Sequence, residues 1–191
     1  MEFLRHEPAM TLLSRHGVVE RADGDTVSLR PADHAGGLRV VLGPTPPRDD
    51  PATVYAHVVV PLDQLGNTLE RLLQRLHTGE VLVCPSSPWR SILDLALFVL
   101  AQDDAWLEVD ADATMHQNTR DPLLVPPKAR HIVGTLVASL MGGSGRSPAH
   151  DCSIAAVDEP LLVTVTAGES VTLWCLSAAA AEVLISKLGA S

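Results

Sequence analysis

The stretch "GEVLVCPSSPWRSILDLALFVLAQ", residues 79–102, decides the fold that the sequence predicts. It begins with a short apolar run, which indicates a buried strand that ends at Cys84. Two serines and two prolines then interrupt the pattern, and Ser87 followed by Pro88 is a pair that typically opens a helix. Residues 92–101 are apolar almost all round, which predicts a helix buried in the core.

Short strands are predicted on both sides of this stretch. Upstream, Asp23-Gly24 separates two alternating segments, which indicates a β-hairpin. Downstream, "CSIAAV", "LLVTVT" and "VTLWCL" predict a three-stranded meander, after which Ser177 caps a last helix. Amphipathic helices are predicted over 63–77 and 128–141. The predicted fold class is therefore α+β, with antiparallel hairpins and meanders at both ends packed with a mostly buried helical middle.

The length and composition suit one compact unit. The chain has 191 residues, of which 46% are hydrophobic and 19% charged, so it has ample apolar surface to bury. We expect a single domain over residues 1–191. Residues 44–53 carry four prolines and form a loop. The weakest seam is predicted near 111–127, because a long polar connection inside a compact domain is either functional or mobile.

The charge balance excludes two classes of partner. A net charge of −9 argues against binding to nucleic-acid phosphates, and equally against docking on an anionic membrane surface. No signal peptide and no apolar stretch of bilayer length is apparent. The three cysteines show no paired spacing, which favours a reducing, cytoplasmic setting. Only two of the basic residues are lysines, a bias typical of a high-GC bacterium.

Cys84 is the one candidate nucleophile. A reactive cysteine needs a lowered pKa, and the start of the following helix would help to supply it. The Ser87-Pro88 helix start accounts for the surrounding residues without catalysis, however, and free cysteine is among the most buried residue types. We therefore expect Cys84 to lie in the core, and we keep it only as a weak catalytic candidate.

The candidate ligand-binding loop is "MGGSGRSPAHDC", residues 141–152. Its backbone N–H groups could wrap an anion, and Arg146 would add charge, so the weak candidates are Gly143, Ser144, Gly145, Arg146 and His150. A phosphate loop, however, lies between a strand and the start of a helix, whereas this loop follows a helix and leads into a strand. A plain helix–strand connection is the simpler interpretation.

Three acidic residues are weak candidates for a metal site. Glu108, Asp110 and Asp112 alternate along "AWLEVDADA", which we expect to be extended, so the three carboxylates would share one face. Such a row can hold Mg²⁺ or Ca²⁺. A solvated edge strand, charged against aggregation, is the commoner explanation, so we predict no metal and no cofactor.

Two classes of function remain open. We favour a non-catalytic cytoplasmic protein-binding module, such as an adaptor, a secretion-type chaperone, an immunity protein or a regulatory subunit. Its partner would be another protein or, in a homodimer, a second copy. The 128–141 helix has a small-residue face that lets another backbone approach, and packing within the domain is the default interpretation of that face, with a dimer as the alternative. The alternative is a small enzyme that acts on a small anionic or acyl substrate with the 142–147 loop or Cys84.

Overall fold

The computed structural model describes residues 1–32, 37–46, 54–77, 79–143 and 147–189. Strands and helices are mixed along these ranges, with several runs of consecutive strands or consecutive helices. The strands are β1 (Glu2–Phe3), β2 (Val18–Asp23), β3 (Thr26–Pro31), β4 (Leu38–Gly43), β5 (Val54–Val59), β6 (Val81–Pro85), β7 (Leu123–Val125), β8 (Cys152–Ala156), β9 (Leu162–Thr166) and β10 (Ser170–Cys175). The α-helices are α1 (His6–Ser14), α2 (Leu62–Leu76), α3 (Arg90–Leu100), α4 (Asp104–Leu107), α5 (Asp110–His116), α6 (His131–Gly142) and α7 (Ala178–Gly189).

Eight of the strands form one sheet, in the order β1-β7-β6-β8-β9-β10-β4-β5. Neighbouring strands are antiparallel except β4 and β5, which are parallel. The predicted meander β8–β9–β10 lies inside this sheet, and β10 joins it to β4, with Leu173 opposite Val40. The α+β class is confirmed. The strands predicted at the two ends of the chain meet in one sheet, apart from the β2–β3 hairpin.

The β2–β3 hairpin forms a small separate sheet, as the Asp23-Gly24 signal predicted. Gly24 has a φ of 57°, a left-handed conformation that glycine adopts without a steric cost. The hairpin and α1 contribute to a hydrophobic cluster with residues from the main sheet. Its buried members are Ala9, Leu13, Val18, Leu29, Leu82, Cys84, Ala155 and Leu162.

The larger core joins the main sheet to α2, α3, α6 and α7. Helix α2 buries the leucines that the sequence pattern assigned to its inner face, among them Leu65 and Leu69. A Cβ atom on Gly66 of α2 would collide with the backbone of Gly134 in α6 and lie 2.9 Å from the backbone nitrogen of Ala138. The small-residue face of α6 therefore lets α2 approach within the chain.

Helix α3 corrects one prediction. It buries Ile92, Leu93, Ala96 and Leu100, which are spaced as one helical face. Leu97, Phe98 and Val99 are exposed, so the expectation that residues 92–101 are buried all round is wrong. No side chain caps α3, which begins at Arg90, so Ser87 does not have the predicted capping role.

Residues 104–116 correct a second prediction, because they form α4 and α5 and not an extended segment. The carboxylate of Asp103 accepts hydrogen bonds from the backbone nitrogens of Ala105 and Trp106, which fixes the start of α4. Trp106, Val109 and Ala113 are buried at helical spacing. The predicted seam at 111–127 thus contains much of α5 and all of β7. None of the described helices is long and apolar enough to cross a membrane.

Candidate functional site

Cys84 lies in β6, buried on the side of the sheet that the hairpin covers. It lines a cavity of about 10 Å³, which has room for about one water molecule. His6 and Glu20 line the same cavity, with His6 Nε2 2.9 Å from Glu20 Oε1. Burial, with smaller contributions from Cys152 and Glu20, raises the pKa of the Cys84 thiol far above its ordinary value of 9.0. The thiol stays protonated at neutral pH, which argues against nucleophilic chemistry there.

The other two thiols are also free and buried. Burial is the main cause that raises the pKa of Cys152, to about 12, and burial also raises the pKa of Cys175. Cys84 belongs to the cluster on the hairpin side of the sheet, whereas Cys152 belongs to the larger core with the helices. The strand register pairs Cys84 with Ser153, so Cys84 and Cys152 point to opposite faces of the sheet.

The candidate Gly-rich loop is only partly described. Gly143 follows the last residue of α6, and His150 is half-buried in a short turn just before β8. Ser144, Gly145 and Arg146 lie outside the described residues. Gly142 and Gly143 line one end of a groove, so this part of the loop lies beside a concave surface.

The acidic row is not arranged as predicted. Glu108 lies between α4 and α5, while Asp110 and Asp112 belong to the first turn of α5. Carboxylates are favoured there because the N-terminal end of a helix carries a partial positive charge. Asp110 Oδ1 accepts a hydrogen bond of 3.2 Å from Trp106 Nε1. Among the described residues, no three or more histidine, cysteine or acidic side chains form a group that could hold a metal ion.

Asp121 anchors the N-terminus of the chain. Its carboxylate contacts His116 Nδ1 at 2.9 Å and accepts a hydrogen bond from the backbone nitrogen of His6. The ring of Phe3 stacks on the ring of His116, with 4.9 Å between the ring centroids. The rings of Phe3 and Trp89 contact each other edge to face. His116 is half-buried in these contacts. They tie β1 and α1 to α3 and α5, which is a structural role.

The groove that contains Gly142 and Gly143 has a volume of about 560 Å³, within the range of about 300–1,000 Å³ typical of ligand sites. Helix α6 forms its floor, and α2 and α3 form its walls. The floor residues are small, and Leu95 and Val99 of α3 supply apolar contact. Glu70 lies on the α2 side, and His131 is held by an ion pair of 2.8 Å to Asp103. We call this the α6 groove.

Beside the groove lies an exposed apolar surface. Phe98 is 83% exposed, and its neighbours Leu97 and Val99 are also exposed. Leu107 of α4 and Met115 of α5 are exposed as well. Isolated exposed apolar residues are normal on a protein surface, but three consecutive ones on a helix are unusual.

The same three helices are strongly acidic. Between Arg90 and Arg120 the chain has six aspartates or glutamates and no lysine or arginine. Four of these acids have exposed side chains: Asp94, Asp104, Glu108 and Asp112. We call these acids, together with Leu97, Phe98, Val99, Leu107 and Met115, the α3–α5 surface. Exposed apolar side chains accompanied by exposed acids on the same helices are complementary to a segment that is apolar and basic.

Sequence reasoning did not identify the α3–α5 surface, because an apolar helix is ordinarily a buried one. The signal that could have found it is the charge pattern, in which acids without any basic residue follow the apolar run. Comparison of the chain with protein-family models, with curated proteins and with solved structures found no match. The geometry of the described residues is therefore the ground for a functional proposal.

Proposed function

We propose that the protein is a non-catalytic protein-binding module that uses the α3–α5 surface and the adjoining α6 groove. The observation that carries this proposal is the exposure of Phe98 between two further exposed apolar residues. Aromatic side chains contribute strongly to binding when a partner buries them. Exposing three neighbouring apolar side chains to water has a free-energy cost that burial against a partner would remove.

The proposed partner is a segment of another protein that forms an amphipathic helix with one apolar and one basic face. A helix that lies in a groove is a common mode of recognition, and the open α6 groove offers one between α2 and α3. Although α2 packs on Gly134, the small floor residues Thr135, Ala138 and Ser139 stay accessible and would let a second helix approach closely. The absence of lysine and arginine between Arg90 and Arg120 favours basic residues on the partner.

A second copy of the chain is the weaker candidate for the partner. Each copy carries a net charge of −9, so two acidic surfaces would have to meet. The cytoplasm is the compartment that we propose, because all three thiols are free. The enzyme alternative receives no support at Cys84, whose raised pKa keeps the thiol protonated.

Photo-cross-linking tests the proposal. A photoreactive phenylalanine analogue replaces Phe98 in the native cells, and mass spectrometry identifies the peptide attached to it. The control carries the same analogue at exposed Arg21 of β2, a strand that contributes no residue to the α3–α5 surface or the α6 groove. We expect a defined basic, amphipathic peptide at position 98 and none at position 21. Cross-links only between copies would overturn the proposed partner, and the absence of a defined product would overturn the proposed function.

A binding measurement with a defined peptide separates the apolar contribution to binding from the contribution of charge. An 18-residue helical peptide of leucine and lysine is compared with one in which glutamate replaces lysine. We expect the lysine peptide alone to bind, with an affinity that falls as salt is added. The Phe98→Ser variant should bind it about tenfold more weakly or worse, the loss expected for an aromatic residue at the centre of an interface. Equal binding of both peptides would contradict the charge argument.

A further inference from the structure

We propose that a second site, independent of the α3–α5 surface, binds a small oxyanion in the cleft between β5, α2 and α7. The cleft has a volume of about 250 Å³. Three cationic side chains line it, Arg71 and Arg75 from α2 and Lys187 from α7. The oxyanion is a phosphate or a carboxylate, groups that arginine and lysine recognise by charge-assisted hydrogen bonds.

The cleft uses the polar face of α2. Gln64, Thr68, Arg71 and Arg75 follow one another at helical spacing and all line the cavity. Leu72 of α2 also lines it, whereas the buried residues Leu65, Leu69 and Leu73 do not. Val58 and Val60 lie on the opposite side. Polar donors and cations thus converge on a partly apolar space, an arrangement typical of small-molecule sites.

Arg75 and Lys187 are held beside each other. Arg75 Nη1 donates to the carbonyl oxygen of Lys187, and Lys187 Nζ donates to the carbonyl oxygen of Arg75, both at 2.8 Å. Each residue uses one donor in this exchange, whereas a guanidinium has five N–H donors and an ammonium has three. Both side chains therefore keep donors for a ligand.

No aspartate or glutamate lines the cleft within the described part of the chain, and none there forms an ion pair with these three cations. Cations near helix C-termini are stabilised by the carbonyl groups, which accounts for Arg75 and Lys187 without any ligand. Stabilisation by the helix C-terminus does not account for Arg71, which lies one turn earlier and bonds to Asn67 of its own helix. Three cations without a carboxylate, in a protein of net charge −9, favour an anionic ligand.

The size of the cleft limits the ligand. Its volume of about 250 Å³ falls below the range of about 300–1,000 Å³ usual for sites that hold drug-sized molecules. A nucleotide would be too large to be enclosed. Inorganic phosphate, or the phosphate or carboxylate group of a small metabolite, fits the space and the charge.

Arg71→Gln is the decisive variant. Among the described residues, the exposed Arg71 side chain bonds only to Asn67 of its own helix, so its replacement should leave the fold intact. Sodium phosphate and sodium acetate are titrated separately at constant ionic strength, and ¹H–¹⁵N NMR follows the backbone amides. We expect saturable shifts confined to residues 58–75 and 187–188, and binding about tenfold weaker in Arg71→Gln. The stronger of the two anions identifies the ligand class.

Arg21→Gln is the matched control, since Arg21 is exposed on β2, which contributes no residue to the cleft. It should bind the anion as the wild type does. Equal weakening in both variants, or shifts that grow linearly without saturation, would show a general charge effect and overturn the proposed site. Binding in this assay does not involve Phe98, so its failure would leave the protein-binding proposal standing.

Discussion

Arg130 donates a hydrogen bond from Nη1 to the carbonyl oxygen of His77, the residue at which α2 ends. The same guanidinium donates to the carbonyl oxygens of Leu73 and Gly79. Only 2% of Arg130 is exposed, so these carbonyl groups are satisfied from inside the protein. Burial lowers the pKa of Arg130 and Glu159 opposes that effect, but arginine remains charged at neutral pH.

Replacing Arg130 should therefore destabilise the folded protein. We expect Arg130→Met to lower the free energy of unfolding by about 3–5 kcal/mol. The carbonyl groups of His77 and Gly79 lose a buried donor, and the carbonyl group of Leu73 keeps only the backbone N–H of His77. Arg130→Lys should recover only part of the loss, since an ammonium lacks the planar fork that reaches several acceptors. Urea denaturation measures all three proteins. The control is Lys128→Met, since Lys128 is exposed, and it should change the free energy of unfolding by less than about 0.5 kcal/mol.

The close approach of α2 to α6 gives a second prediction. Gly66→Ala should lower the free energy of unfolding by about 1–3 kcal/mol, because the added methyl group meets the backbone of Gly134 and the helices must separate. Gly142→Ala is the matched control, since Gly142 is helical and, apart from its own helix and chain neighbours, no atom of the described residues lies within 4 Å of an added Cβ. Alanine there should be neutral or stabilise by up to about 1 kcal/mol. Equal effects of the two substitutions would contradict the close approach.

The buried thiols predict how stability depends on pH. Burial raises the pKa of Cys84 and Cys152 above their ordinary value of 9.0, so above about pH 9 the unfolded chain loses thiol protons that the folded protein keeps. The folded state then binds more protons, and the free energy of unfolding falls as pH rises. Below about pH 8 the thiols are protonated in both states and contribute no slope.

Denaturation between pH 7 and 10 checks this dependence. Between pH 8.5 and 10 the free energy of unfolding should fall less steeply in Cys84→Ala than in the wild type. The two slopes should differ by about 1.4 kcal/mol per pH unit at most. Labelling of the native protein by a thiol reagent at pH 7 should be slow at Cys84, since the thiolate is the reactive form. Rapid labelling of Cys84 in native protein would reverse the argument and favour the enzyme alternative.

Local sequence signals sufficed for much of the fold. The Asp23-Gly24 hairpin and the final helix, whose Ser177 Oγ accepts from the backbone nitrogen of Ala180, were predicted because turn and cap residues act over a few positions. The pairing of β10 with β4 was not predicted, because it joins segments that are distant along the chain. The two helices over 104–116 were missed because alternating acids imitate a strand, and the burial of Trp106, Val109 and Ala113 was not recognised as a helical stripe.

Less of the candidate site could be predicted. Gly143 was singled out and does line the α6 groove, but the rest of that surface comes from α2, α3 and α6. Which face of an apolar helix meets the core is decided by its neighbours, and within residues 92–101 only Asp94, one turn before Phe98, marks the exposed face. The cleft at Arg71 likewise joins α2 to α7, which are far apart along the chain.

The two faces of α3 give the last prediction, which tests the correction on which the proposed function depends. Ile92 is 1% exposed and Phe98 is 83% exposed, although the sequence pattern treats both as core residues. Ile92→Ala should lower the free energy of unfolding by about 2–5 kcal/mol, because it leaves a cavity beneath the helix. Phe98→Ser should change it by less than about 0.5 kcal/mol, because the ring makes little contact within the chain. Urea denaturation of both variants decides the matter: a loss at Phe98 comparable to that at Ile92 would mean that the ring is buried in solution, and the α3–α5 surface could then not serve as a binding site.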